Sequence, residues 1–358
     1  MVEARKMACQ EQRQNVNILT RKRLAAAVAL TASAAVFTAC APSSGASDSS
    51  LSLVAFSVPK AGNADAEKAF AKTDAGKGVT WNESYGASGD QSRAVVSGLK
   101  SDYVHFSITP DVTRLVDDGL VAKNWDKGTN KGIVTTSVVA LVVRKGNPKN
   151  IHDWSDLIKP GVRIVTPNPA SSGSARWNIL GAYESIIANG GSEADAKEYL
   201  TKLFENVKAL PGSGRDATTA FQGGTGDVLI SYENEAIFAR QSGEDVDYVV
   251  PKQNLLIENP AAVTTKAKPA AKAFLDFVLS PAGQEEYAKV GFRPVASVKG
   301  VKIGTVKGAN DPADPFPTPS KLFTIDKDFG GWEAVDKKFF DEKTGIITKI
   351  LQETGKSS

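Results

Sequence analysis

The chain has 358 residues, 41% of them hydrophobic and 23% charged, enough for a large core divided into two lobes and too apolar for disorder over most of its length. Its formal net charge of +3 belongs to the N-terminus: residues 1–39 carry six Lys or Arg and two acids, leaving 37 basic and 38 acidic residues beyond them, a net of −1. With no basic stripe and no recognition motif in that remainder, nucleic-acid binding is excluded.

In chain order, Arg21-Lys22-Arg23 precedes an apolar run, Leu24 to Phe37, that is too short for a stable membrane anchor. Thr38-Ala39 then leads to Cys40 and a Pro/Ser/Gly stretch, Ala41 to Ser50. A basic flank, a short apolar core and small residues before a cut make a signal peptide. A Cys directly after the small residues resembles the bacterial lipobox, which implies that Cys40 is lipidated and becomes the mature N-terminus. Phe37 stands where that box usually has Leu. The alternative is an N-terminal helix of the fold with a buried Cys. Cys9 departs with the signal, so Cys40 has no intrachain partner, and a disulfide scaffold and a Cys-bound metal are both excluded. The stretch before Arg21 is long for a signal, which points to a start codon placed too early.

Leu51 to Phe56 alternates as a strand, Ala64 to Lys72 reads as a helix and Gly78 to Glu83 as a second strand. Ser88-Gly89 opens a helical run through Ala94, Val95, Val96 and Leu99, weakened by Gly98. A third strand, Tyr103 to Ile108, and a short helix, Asp111 to Asp118, follow. Strands alternating with helices predict βαβ units and a mainly parallel sheet, with ligands at the carboxyl ends of the strands. Ile133 to Arg144 is a continuous β-rich run long enough to cross between lobes.

The rhythm resumes with Arg163 to Thr166 and then Pro169 to Trp177, where three hydroxyls cluster around Gly173. Trp177, Leu180, Tyr183 and Ile187 continue as a helix stopped by Gly190-Gly191. A helix start carries unpartnered N–H groups and partial positive charge, and small residues let an anion reach them. The alternative is that Ser171 or Ser172 merely caps the helix. Ala194 to Phe204 is helical, and Ser213-Gly214-Arg215 opens a short helix through Ala217 and Phe221, stopped at Gly223-Gly224. Three Ser-Gly turns thus enter helices; brought together, they would form a cradle of donors for an oxyanion. Asp227 to Tyr232 is a strand, Glu233 to Arg240 a helix, and Val246 to Val250 and Leu255 to Ile257 are return strands. Ala270 to Leu279 is helical, ending at Ser280-Pro281, and the tail finishes in helical segments to Gln352.

Catalytic patterns are missing: the two histidines, His105 and His152, are assigned structural roles, and no nucleophile elbow, zinc motif or phosphate loop is present. Trp154, Trp177 and Trp332 are assigned to the core.

Val143 to Lys149, Ile151 to Trp154, Ile158 to Val162, Thr166 to Pro169, Ser171 to Trp177, Gly226 to Ala236 and Leu322 to Asp326 resemble the sulfate-binding proteins of bacterial ABC importers, over essentially all of 51–340. The resemblance implies an α/β chain with the two-lobed type II periplasmic-binding fold, each lobe a mixed, mainly parallel sheet flanked by helices, closing by a hinge. It divides the chain into a signal peptide (1–39), a flexible linker from lipidated Cys40 (40–50), a first lobe (51–137), a second lobe (138–248) and a return to the first lobe with C-terminal helices (249–358). It implies a monomeric binding subunit that is not an enzyme, takes no cofactor or metal, sits on the outer face of the cell membrane and delivers sulfate to a permease and its ATPase. Thiosulfate, molybdate or another tetrahedral oxyanion is the alternative ligand; a lipid-anchored enzyme is the distant one.

Carried over by residue, the resemblance makes Ser88, Ser172, Gly173, Ser174 and Gly214 donors to a dianion held with no cation in direct contact. Tyr232 stands where the family commonly has a Trp indole N–H. The family's early Asp, used through its backbone N–H, aligns with Pro59, which has none, so Lys60 or Ala61 is expected to replace it. Arg176 and Arg215 are assigned to bracing the loops from behind. A donor-only site favours sulfate strongly over hydrogen phosphate, whose proton needs an acceptor; leaving it unpaired costs roughly 1–3 kcal/mol.

Overall fold

The computed structural model describes residues 49–356. The signal segment, Cys40 and most of the linker lie outside the described residues. The chain runs β1 (Ser50–Phe56), α1 (Lys60–Phe70), β2 (Thr80–Gly86), α2 (Ser88–Val96), β3 (Tyr103–His105), α3 (Thr109–Asp117) and β4 (Ile133–Arg144). It continues through β5 (Ile164–Val165), α4 (Gly173–Ala188), α5 (Glu193–Asn206), β6 (Val207–Ala209), α6 (Gly214–Gln222), β7 (Val228–Tyr232), α7 (Glu233–Gln241), β8 (Val246–Val249) and β9 (Gln253–Val263). Then come α8 (Pro269–Val278), α9 (Pro281–Lys289), β10 (Lys321–Phe323), α10 (Ile325–Asp328), α11 (Trp332–Val335) and α12 (Ile346–Glu353).

These strands form one mixed sheet in the order β2-β1-β3-β9-β4-β7-β5-β6, with β10 on β9 and β8 on β4. The βαβ units are parallel, β1 with β2 and β3, and β5 with β6 and β7. Two long strands join the halves. β4 pairs antiparallel with β9 as far as Val138, then with β7 from Val139 onward. β9 pairs with β10 at Gln253–Leu255, with β4 at its centre and with β3 at Ala261–Val263. β4 is buried along nearly its whole length and mostly apolar, whereas β9, largely buried, carries Asn254, Glu258 and Asn259.

Two boundaries differ from the sequence reading. α1 begins four residues before Ala64, because Pro59 suits a helix start and its carbonyl accepts the first helical bond, from Asn63 N–H at 2.8 Å. Ser280-Pro281 ends one helix but also opens another, α9, whose Gly283 N–H is capped by Ser280 Oγ at 3.2 Å. The C-terminal segment packs on α4 and α5 and also touches α3. Trp332 meets Trp177 edge to face at 4.9 Å, Phe339 meets Tyr183 at 4.8 Å, and Lys338 pairs with Glu193 at 2.6 Å. Aromatic packing against α4 sets that placement, which no periodicity in the tail encodes.

Candidate anion-binding site

Helices that begin beyond the carboxyl ends of strands include α2 after β2, α4 after β5, α6 after β6 and α7 after β7. In α2 the first helical bond is Gln91 N–H to Ala87 O, so the N–H groups of 88–90 precede the ladder. In α4 Ser172 is the N-cap residue and is 2% exposed, yet its side chain makes no capping bond. The neighbouring Ser171 hydroxyl is spent on Gly212 O at 2.7 Å. In α6, by contrast, the N-cap Ser213 accepts from Asp216 N–H at 3.1 Å and is an ordinary cap. The capping alternative therefore describes Ser213, not Ser171 or Ser172.

The starts meet. Gly89 N–H donates to Ser171 O at 3.0 Å, tying α2 to the turn before α4. A Cβ on Gly214 would lie 3.0 Å from both Ser174 Oγ and Val58 Cγ2, and one on Gly173 would lie 2.7 Å from Ser107 Cβ. Only glycine allows such approach, which brings α4 and α6 together and lays α4 against the end of β3. The crevice that remains among Gly89, Asp111, Arg114, Ser172, Gly173 and Arg176 is about 10 Å³, room for about one water.

Ser88 is buried, and its hydroxyl donates to Asp111 Oδ2 at 2.6 Å while accepting from Ser107 N–H at 2.8 Å. Its backbone N–H, not its hydroxyl, is what it can offer an anion. Tyr232, the N-cap residue of α7, is fully buried, with its hydroxyl 2.8 Å from Ser107 Oγ. Burial raises its pKa well above the ordinary phenol value, against the pull of Ser107, Ser174 and Asn259, so it is neutral. Sequence reasoning missed Ser107, Asp111 and Asn259, whose Nδ2 donates to Ser107 O at 2.9 Å. The rule that pointed to the end of β2 applies equally to the end of β3, where Ser107 sits.

Both arginines are paired with carboxylates. Arg215 forks onto Glu235 at 2.7 and 3.0 Å and reaches Val58 O at 3.2 Å. Arg176 pairs with Asp336 at 2.7 Å and lies over the Phe340 ring. Each cation thus has its own carboxylate. Lys60 departs from expectation: its N–H is directed at Ser57 O, 3.3 Å away, and its ammonium lies over the Tyr85 ring. Pro59 makes Lys60 the first helical residue, which turns its N–H back into the turn; Val58 is the residue at the cradle. His105 is fully buried between Asn63 Oδ1 (3.1 Å) and Thr135 Oγ1 (3.2 Å), and burial pushes its pKa down to about 3, so it stays neutral in a packed network. Trp154 and Trp177 are buried, their indoles donating to Gln253 O and Ser107 O. Among the described residues no cluster of His, Cys, Asp or Glu could hold a metal, and no helix is long and apolar enough to cross a membrane.

Two sheet halves joined by two long strands, with helix starts facing each other, are the architecture of type II periplasmic-binding proteins. A periplasmic thiamin-binding protein, 18% identical, superposes with a TM-score of 0.62 over 86% of this chain and 96% of its own, a likeness of fold alone. The model of the bacterial extracellular solute-binding protein family matches residues 53–293. The sulfate-binding protein of Synechococcus elongatus is 42% identical over 84% of this chain and 86% of its own. The thiosulfate-binding protein of Pseudomonas aeruginosa is 37% identical over 78% and 84%. The solved sulfate-binding protein SubI of Mycobacterium tuberculosis is 47% identical, with a TM-score of 0.75 over 82% of this chain and 99% of its own. The chain belongs to the sulfate- and thiosulfate-binding group of the bacterial extracellular solute-binding proteins.

Proposed function

We propose that the chain is the extracytoplasmic binding subunit of an ABC importer and captures sulfate between its two halves. One observation carries the reading: Ser172 occupies a buried N-cap position without capping, beside Gly173 and Ser174 at the head of α4. A buried hydroxyl kept from that bond, in the crevice it shares with Gly89 at the head of α2, is a donor held for an anion. The N–H groups of Ser88, Gly173, Ser174 and Gly214 and the Ser172 hydroxyl are the donors, and partial charges at the helix starts balance the dianion. Arg176 and Arg215, already paired with carboxylates, act from behind. Lys60 is set aside in favour of the Val58 turn.

The halves part to admit ligand, because Gly173 and Ser107 leave no room for a polyatomic anion between them. β4 and β9 are the hinge, dividing the chain at 51–137 and 138–248, with the segment 325–356 riding on the second lobe. The protein works as a monomer without cofactor or turnover, tethered through lipid on Cys40 to the outer face of the cell membrane, and hands sulfate to a permease driven by its ATPase. Thiosulfate is the second reading, favoured by relatives named for that anion at 34 and 37% identity. Calorimetric titration of the purified protein with sulfate, thiosulfate, molybdate and phosphate decides between them. Tight sulfate binding supports the first reading, thiosulfate binding tighter than sulfate the second, and folded protein that binds neither overturns both. Cys40→Ser is expected to release the protein from the membrane fraction; retention there refutes the anchor.

A further inference from the structure

Four contacts of the cradle pass through Ser107, a residue outside the expected donors. Its N–H donates to Ser88 Oγ, its carbonyl accepts from Trp177 Nε1 and Asn259 Nδ2 (each 2.9 Å), and its hydroxyl meets the Tyr232 hydroxyl at 2.8 Å. The backbone of Ser107 is therefore fixed from three sides, while the hydroxyl can turn. That hydroxyl lies on the head of α4: a Cβ on Gly173 would come within 2.8 Å of Ser107 Oγ. Ser107 comes from the first half of the sheet and Tyr232 from the second, so the pair forms where the halves close.

Two hydroxyls in mutual contact hold two protons, and the bond between them uses one. Either oxygen can be the donor within the pair, so the other proton can be presented from Ser107 or from Tyr232. We infer that Ser107 and Tyr232 together form one neutral donor to the bound anion, making Ser107 a further ligand-determining residue. The inference rests on the anion-binding reading of this cleft. It deepens that reading by assigning the role expected of Tyr232 alone to a pair whose members substitute for each other. Removing either hydroxyl leaves the survivor a proton no longer spent within the pair; the side chains of Ser174 and Asn259 also lie against the Tyr232 hydroxyl and pull its pKa down, as donors do. Removing both leaves that side of the anion unpaired in a buried cleft.

The test is a double-mutant cycle on the full-length protein, with Ser107→Ala, Tyr232→Phe and the double variant titrated calorimetrically with sulfate and melted without it. Each single change is expected to weaken sulfate binding less than about threefold, and the double change about thirtyfold or more, as loss of one hydrogen bond to a charged group does. A double variant no weaker than the product of the singles overturns the inference. So does Ser107→Ala without effect in the Tyr232→Phe background. Should the double variant fail to fold, Ser107→Cys with Tyr232→Phe keeps the volume but donates weakly; binding at least about fivefold below Tyr232→Phe alone is expected, and equality overturns the pair. Failure of the wild-type protein to bind sulfate overturns the underlying function instead.

Discussion

Ser172 and Ser213 hold the same position on two helices and use their hydroxyls differently, so replacing each by Ala separates helix capping from ligand binding. Ser213 accepts from Asp216 N–H at 3.1 Å and donates to the Asp216 carboxylate at 2.7 Å. Ser213→Ala is expected to cost about 1 kcal/mol of stability, as loss of a cap does, lowering the midpoint of thermal unfolding by about 2 °C. Ser172 has no capping bond to lose, so Ser172→Ala should change stability by less than about 0.5 kcal/mol. Its cost falls on the ligand: a hydrogen bond to a charged group contributes about 1.5–3 kcal/mol, a loss of about 10- to 150-fold in sulfate affinity. Urea unfolding without sulfate reads the first quantity and calorimetry the second. If Ser172→Ala loses stability as Ser213→Ala does while sulfate affinity is kept, Ser172 is a cap and the cradle argument fails.

Gly173→Ala places a methyl 2.7 Å from Ser107 Cβ, so closure should stall; sulfate affinity is expected to fall at least about tenfold and small-angle scattering to show no compaction with sulfate, while normal affinity and compaction refute the close approach. Arg215→Met strands Glu235, whose side chain is 1% exposed, and should cost about 3 kcal/mol in urea unfolding; Arg215→Met with Glu235→Leu should recover much of it, and equal loss in both variants contradicts the pairing argument. Glu67 is buried with its Oε1 unpartnered among the described residues, and burial, aided by Glu83, pushes its pKa from 4.5 up to about 8. The folded state then holds a proton that the unfolded state releases, so stability should fall as pH rises from about 4.5 to 8 and level off above. Glu67→Gln should flatten that decline, and an unchanged profile places the proton elsewhere.

The sequence by itself determined the elements and the kind of chemistry. Period and punctuation placed β4 at Ile133–Arg144, and Gly190-Gly191 stops α4 at Ala188. They marked the three Ser-Gly turns because small and hydroxyl residues at helix starts are local signals. The scarcity of His and the missing nucleophile motifs argued against catalysis for the same reason.

Tertiary structure decided what those turns face. Ser107 and Asn259 are ordinary polar residues 152 positions apart, brought together only when β9 threads between β3 and β4. Whether a serine caps its helix depends on where its hydroxyl points: Ser172 and Ser213 are alike in sequence, yet only Ser213 caps. Pro59 was visible in the sequence, but that it starts α1 early and turns the Lys60 N–H toward Ser57 O is a backbone effect that residue type alone does not give. Local physics fixes which groups can donate. Long-range pairing fixes which of them meet, because a shared cleft is made by strands far apart in the chain.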